Sequence, residues 1–355
     1  MSSLYSLLRP LLFIMDPEKA HSLSIRALKS GMLPVHSADF DPILKTDLFG
    51  LTFANPIGLA AGYDKNAEVI NDVSRLGFGF VEAGSVTPLP QPGNPKPRIF
   101  RLVEDGAVIN RLGFNNKGLE VAASNFRNRR GNEIVGANLG ANKDSLDRVG
   151  DYVRGMKALA PLTDYVTVNI SSPNTPGLRA LQGRDELDEL LGRLLEARKQ
   201  MMEQGAKAFP LLLKIAPDLT DEDKTDIAEV TLNLGIDGLI ISNTTITRPD
   251  TLSSIYKKEV GGLSGAPLTD LSLSVLRDMR WATAGKVPLI GVGGISNAEN
   301  ALNRIKAGAS LLQLYSAMVY EGPYVAHKIA KDLAQKLRAE NFTNVSDAVG
   351  VDAPL

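Results

Sequence analysis

The sequence predicts an α/β protein, a (β/α)8 TIM barrel with a small N-terminal two-helix extension, on three observations. Eight short apolar runs recur from about residue 51 onward, each run ends in small or polar residues, and helix-like segments separate them. Near-continuous apolar strands belong to parallel sheets covered on both faces, and eight strand–helix units favour a closed barrel over an open doubly wound sheet. The length, 355 residues, suits one barrel with appendages.

Residues 1–40 stand apart. Leu4, Leu7, Leu8, Leu11 and Leu12 recur at helical spacing; Asp16-Pro17-Glu18 starts a second helix, and Gly31 stops it. Taken alone, their apolar faces are read as packing on the barrel rather than touching membrane or a lipid-like ligand. The barrel occupies 41–340. Its apolar runs are Pro56–Ala61, Gly79–Ser85, Ile134–Leu139, Tyr165–Ile170, Leu211–Ile215, Gly238–Ser242, Pro288–Val292 and Ser310–Leu314. Helical segments include Glu186–Gln204, Asp221–Leu234, Leu271–Ala284, Ala298–Ala307 and Tyr324–Glu340, with Thr220 and Asn297 as caps. Residues 86–133 are proline-rich and read as an extended loop, a lid or wall at the mouth. The last stretch, 341–355, is small and polar and is expected to be a flexible tail.

Composition excludes several chemistries. There is no cysteine, so disulfides, thiolate catalysis, iron–sulfur clusters and cysteine zinc sites are ruled out. The three histidines, His21, His36 and His327, are too scattered in sequence to suggest a histidine metal site. A net charge of −1 offers no global field for nucleic acid. No apolar run approaches the roughly 18 residues of a membrane span. Arg9-Pro10 interrupts the N-terminal leucines, and neither a basic start nor a small-residue cleavage site marks a signal peptide.

Chemistry gathers at the strand ends. The stretch 165–179 begins as a strand and then becomes Asn169-Ile170-Ser171-Ser172-Pro173-Asn174-Thr175-Pro176-Gly177. Those prolines and polar groups cannot continue a buried strand, so a stiff polar loop sits at its carboxyl end. The other runs end at Ala60 to Asn66, Ser85 to Pro88, Asn138, Lys214, Ser242 to Thr245, Gly291 to Gly294 and Tyr315-Ser316. Glycines allow close approach to a flat or charged ligand, and a glycine turn after strand seven is a common barrel phosphate site. Gly261 to Gly265 adds a further clamp. Lys214, near the end of an apolar strand, needs a partner inside the barrel or an anionic ligand. Asn110, Asn138, Asn169 and Asn243 suit a planar ligand carrying donors and acceptors, such as a flavin's pyrimidine edge or a pyrimidine. No strand end carries a histidine or a carboxylate pair, which weighs against glycosidase-type chemistry.

These motifs resemble the dihydroorotate dehydrogenase family, specifically its class 2, quinone-dependent form. They are Ala60-Ala-Gly-Tyr-Asp-Lys-Asn66, Phe80-Val-Glu-Ala-Gly-Ser-Val-Thr-Pro88, Ile109-Asn-Arg-Leu-Gly-Phe-Asn115, 169–179, Gly261-Gly-Leu-Ser-Gly265 and Gly291-Val-Gly-Gly-Ile295. In order, they span nearly the whole chain. The resemblance implies the oxidation of (S)-dihydroorotate to orotate in de novo pyrimidine (UMP) synthesis, with one FMN per chain reoxidised by a membrane quinone. It implies FMN contacts at Ala60, Ala61, Gly62, Tyr63, Asp64, Ser85, Asn138, Asn169, Lys214, Ser242, Gly265, Gly294, Tyr315 and Ser316. Substrate contacts are implied at Lys65, Asn110, Arg111, Leu112, Gly113, Phe114, Asn169, Asn174, Asn243 and Thr244. Ser172 matches the family's proton-accepting base, with Thr175 as a candidate relay. Class 1 relatives use cysteine there, which this chain lacks. The N-terminal helices match a quinone tunnel with His21, Arg101 and Tyr315 at its polar positions, which reverses the packing-only reading. A monomer, bound peripherally to the cytoplasmic side of the inner membrane, is the expected state. Competing readings are another FMN barrel oxidising a dihydropyrimidine or hydroxy acid, a non-redox phosphate-binding barrel, and a peripheral membrane-binding protein.

Overall fold

Asp16 and Pro17 start a helix as their types require. In a computed structural model describing residues 2–31, 33 and 40–355, Asp16 accepts a hydrogen bond from the Lys19 amide at 2.9 Å, and Pro17 fills the first turn. This helix, α2 (Pro17–Lys29), follows α1 (Ser2–Ile14). Of the expected 1–40 extension, Met1 and residues 32 and 34–39, His36 among them, lie outside the described residues.

A hairpin of β1 (Thr46–Leu48) and β2 (Leu51–Phe53) comes next, followed by β3 (Ile57–Leu59), the short α3 (Ile70–Val73) and β4 (Phe80–Val86). Beyond the 86–133 insertion run β7 (Ile134–Leu139), α5 (Arg148–Leu159), β8 (Tyr165–Asn169), α6 (Arg184–Glu203), β9 (Leu211–Ile215), α7 (Asp221–Leu234) and β10 (Gly238–Ile241). The chain finishes with α8 (Thr269–Ala282), β12 (Leu289–Val292), α9 (Ala298–Lys306), β13 (Ala309–Leu314), α10 (Ser316–Glu321) and α11 (Val325–Ala339). Strands β3, β4, β7, β8, β9, β10, β12 and β13 close in that order into a parallel barrel, so each of the eight apolar runs supplies one barrel strand. Thr220 and Asp223 form a reciprocal capping box on α7, and Asn297 caps α9 through the Asn300 amide.

Alternation along each strand separates inside from outside. Phe80, Ile134, Tyr165, Leu212, Ile240, Ile290 and Leu311 form an apolar layer, capped from below by Phe53 of the hairpin. Phe53 and Phe80 meet edge to face at 5.2 Å. Two residues further along the strands the layer turns polar, with Glu82, Thr167, Lys214 and Gln313, all buried. The reacting face therefore rests on a plugged floor.

Two expectations change. The 86–133 insertion is not only an extended loop. It contains β5 (Ile99–Leu102) and β6 (Ala107–Asn110), which pair with β11 (Gly262–Gly265) in a three-stranded antiparallel sheet, and α4 (Gly118–Arg127). Its prolines confine extended chain to residues 88–97, and alternating Phe100, Leu102, Ala107 and Ile109 bury one face beyond them. The tail, expected to be flexible, is docked: Val345, Ala348 and Ala353 are buried. The Gly350 and Asp352 amides donate to Ile305 and Lys306 carbonyls, and Arg280 Nε donates to Ala353 O at 2.8 Å. Deleting residues 344–355 is expected to cost about 2–4 kcal/mol, from lost apolar burial and orphaned carbonyls. A urea midpoint unchanged by the deletion would contradict this.

Candidate active site

A cavity of about 750 Å³ opens over the carboxyl ends of the barrel strands and continues between α1 and α2. Most of the sequence-predicted site residues meet there. Ala60, Ala61, Gly62, Tyr63, Lys65 and Ser85 line it from β3 and β4, and Asn110, Leu112, Gly113 and Phe114 from the insertion. Asn169, Ser172, Asn174, Lys214, Ser242, Asn243, Thr244, Gly265, Gly294, Tyr315 and Ser316 complete the barrel side, while His21 and Arg101 lie on the helix side.

Three predicted contacts do not reach the cavity. Asp64 is buried and accepts from the Asn66, Glu68 and Val69 amides, so it shapes the loop carrying Lys65. Burial pushes its carboxyl up against those three donors. Asn138 sits one layer below, and Arg111 pairs outward with Glu259 at 2.6 Å.

Asn138 nevertheless orients what faces the cavity. Glu82, absent from the predicted set, accepts from Asn138 Nδ2 at 2.7 Å, Gln313 Nε2 at 2.8 Å, Thr167 Oγ1 at 3.1 Å and the Tyr165 hydroxyl at 3.2 Å. A carboxylate only accepts, so the Asn138 amide must turn its NH2 downward. Its Oδ1 then accepts from the Ser85 hydroxyl and from Asn169 Nδ2 at 3.3 Å. Asn169 Oδ1 in turn accepts from Ser171 Oγ at 2.9 Å and Asn243 Nδ2 at 3.2 Å. One buried carboxylate thus sets the sense of an amide chain across three strand ends. In the sequence, Glu82 is marked only by its two-residue spacing from Phe80, which puts both on one face of the strand.

Lys214 is buried and makes no hydrogen bond or ion pair with any described residue. Burial pushes its ammonium down, while the Glu82 charge pulls the other way. A cation so placed calls for an anionic or electron-rich ligand in the cavity. Beside the glycine turn after β12, neither the Gly293 nor the Gly294 amide donates to a backbone carbonyl of a described residue.

The polar loop after β8 is held from two sides. Asn94 Nδ2 donates to Arg111 O and Asn174 O, both at 3.0 Å, tying the insertion to it. Arg179 donates to Ser171 O and Thr244 O at 3.0 Å and pairs with Asp218 at 2.9 Å. Ser172 Oγ accepts from the Asn174 amide at 3.2 Å, and the buried Thr175 Oγ1 has no partner among the described residues.

On the helix side, His21, Tyr63 and Tyr315 form an aromatic cluster, with His21 Nδ1 3.5 Å from the Tyr315 hydroxyl. Burial, with the Lys65 charge, pushes His21 down to about 3, so its ring is neutral. Arg101 is occupied: it donates to Leu12, Phe13 and Met15 carbonyls and stacks over Phe13. It closes the C-terminal end of α1 rather than pointing a free charge at the cavity. Arg98 grips Glu18 bidentately at 2.7 and 3.1 Å and anchors α2.

The family model described as dihydroorotate dehydrogenase matches residues 43–337. Dihydroorotate dehydrogenase (quinone) of Azorhizobium caulinodans is 53% identical over 352 residues, covering 98% of this chain and 99% of its own. That of Rhodospirillum rubrum is 54% identical, covering 99% of this chain and 95% of its own. The crystal structure of DHODH from Eimeria tenella in complex with ferulenol superimposes with a TM-score of 0.91 at 44% identity, covering 95% of this chain and 96% of that one. Such matches extend through the barrel and the N-terminal helices alike, and the chain belongs to the dihydroorotate dehydrogenase family, in its quinone-type branch.

Proposed function

We propose that this enzyme oxidises (S)-dihydroorotate to orotate with FMN, in de novo pyrimidine synthesis, and passes the electrons to a quinone taken from the membrane surface. The observation that carries this reading is the single cavity joining the Ser172 loop, the glycine turn after β12 and the space between α1 and α2. FMN suits the residues present. The unpaired Lys214 and the asparagine edge match a flavin's pyrimidine side, and the free amides of Gly293 and Gly294 match a phosphate. When bound, FMN supplies the hydride acceptor.

The chain's own residues do the rest. Lys65 receives the substrate carboxylate, and Asn110, Asn174 and Asn243 fix the pyrimidine ring. Ser172 removes the proton from C5 as hydride leaves C6. Tyr63, Tyr315 and His21 wall the passage toward α1 and α2 without adding charge. The outward apolar surface of these helices faces a bilayer. As a peripheral protein it meets the cytoplasmic side of the inner membrane, and no described helix is long and apolar enough to cross. A purified protein that is yellow, bleaches with dihydroorotate in the absence of oxygen and recovers with a quinone is the expected result. A protein that takes up no flavin sinks the reading.

Burial pushes Lys65 down to about 8, with Glu18 and Asp64 opposing. The charged form, which attracts a carboxylate, is therefore full below that value and lost above it. Orotate affinity is expected to be flat below about pH 7 and to fall as pH rises through 8, and Lys65→Met to weaken it about 10–100-fold and remove that dependence. Titrating orotate against flavin absorbance across pH checks both, and an unchanged profile in the variant counts against the role.

A further inference from the structure

Arg304 lies on α9, yet its side chain turns inward beneath the β12–α9 loop, with 1% of the residue exposed. Its Nη2 donates to Thr269 O at 3.0 Å, to Ser272 Oγ at 2.8 Å and to Gly293 O, and Nη1 donates to Asn300 O at 3.4 Å. All four acceptors are neutral. No carboxylate of a described residue forms an ion pair with it, and the exposed Asp270 is the acid whose field favours its charge. Burial brings Arg304 down to about 10, so it stays charged at neutral pH.

A buried cation with only neutral partners is costly, and fastening a loop does not require one. Neutral groups already fasten this loop: Ser272 Oγ donates to Gly293 O and Thr269 Oγ1 to Gly294 O, both at 3.3 Å. Backbone geometry brings the loop down onto α8, since Gly293 and Gly294 have φ +109° and +66° and a Cβ at 294 would lie 2.1 Å from Thr269 Oγ1. The guanidinium therefore sits one peptide behind the cavity wall, on the far side of amides that no backbone carbonyl claims. A positive charge there is offset by an anion in front of the loop.

We propose that Arg304 is a positioning residue for the cofactor's phosphate, its charge acting through the Gly293 peptide to favour a phosphorylated flavin over an uncharged one. This rests on the FMN reading above. It concerns how the chain tells FMN from riboflavin, which share the ring and differ in the phosphate.

The test compares the two flavins on flavin-stripped full-length protein, by quenching of flavin fluorescence. Arg304→Met is expected to weaken FMN at least about tenfold and riboflavin less than about twofold. Arg304→Lys, which keeps the charge, is expected to hold the wild-type FMN-to-riboflavin preference within about threefold. Equal losses for both flavins in Arg304→Met would reduce the residue to a structural clamp and overturn the proposal. If that variant does not fold, the lysine variant decides: a retained preference supports the proposal, and a preference cut by about tenfold or more overturns it. A wild-type protein binding both flavins equally also refutes it while leaving a flavin site standing. One that binds neither refutes the cofactor reading itself, and this proposal with it.

Discussion

Ser172→Ala is expected to slow flavin reduction by dihydroorotate by about 10²–10⁴-fold, while FMN remains bound and orotate affinity changes little. A serine hydroxyl is a weak base at its free pKa, so its contribution depends on what surrounds it. Ser172 is buried and lines the cavity, on a loop whose carbonyls are pinned by Arg179 and Asn94. The Asn174 amide takes one of its lone pairs, which fixes the oxygen without consuming its acceptor capacity. Thr175 Oγ1 is buried three residues further on and has no partner among the described residues, and we propose it as the group through which the proton leaves. Thr175→Val is accordingly expected to impair the same step, by a smaller factor. Anaerobic stopped-flow reduction followed at the flavin band measures both. A Ser172→Ala rate near wild type would remove the serine from the chemistry, whereas a lost flavin would assign it to binding.

Much of this site was legible because barrel strands alternate strictly and end where their apolar runs end. Ser172, Lys214 and Asn243 stood out as polar residues at positions where a buried strand cannot hold them unpaired. Glu82 did not, since Gly79–Ser85 reads as one apolar run and a single carboxylate within it looks incidental. Only the register shows that Thr167 and Gln313, on strands far away in sequence, point at it. Arg304 was hidden for a related reason: on a helix that also carries Glu299, Asn300, Asn303 and Lys306, an arginine reads as surface, and nothing local reveals that it turns under the preceding loop. Arg101 shows the opposite limit. It lines the cavity beside the helices, but its partners are the open carbonyls at the end of α1, which sequence spacing does not expose. The docked tail was missed because small residues such as Ala348 and Ala353 carry little apolar signal, though they fit where larger ones would not.

Leu7→Glu/Leu11→Glu/Ile14→Glu is expected to lower binding to lipid vesicles by more than about 100-fold and leave flavin reduction by dihydroorotate unaltered. These residues lie at i, i+4 and i+7 on α1 and are 74%, 64% and 83% exposed, so they form one outward stripe. Leu8 and Leu23 widen it at 46% and 44%. Fully burying one such side chain contributes about 1.5–3 kcal/mol, and three together exceed the roughly 2.7 kcal/mol that a 100-fold change requires even if each enters the bilayer surface only in part. At 13 residues, α1 spans about 20 Å, short of the roughly 30 Å hydrocarbon core, so it is too short to cross a bilayer. The substitutions touch exposed positions, whereas the contacts that seat α1, Tyr5 to Val319 O and Arg101 to the helix end, stay intact. Reduction of a water-soluble short-chain quinone should therefore persist, and reduction of a long-chain quinone carried in vesicles should fall in step with binding. Vesicle binding that survives the three charges would mean that this stripe does not face the bilayer, and the passage between α1 and α2 would then have to be filled from solution.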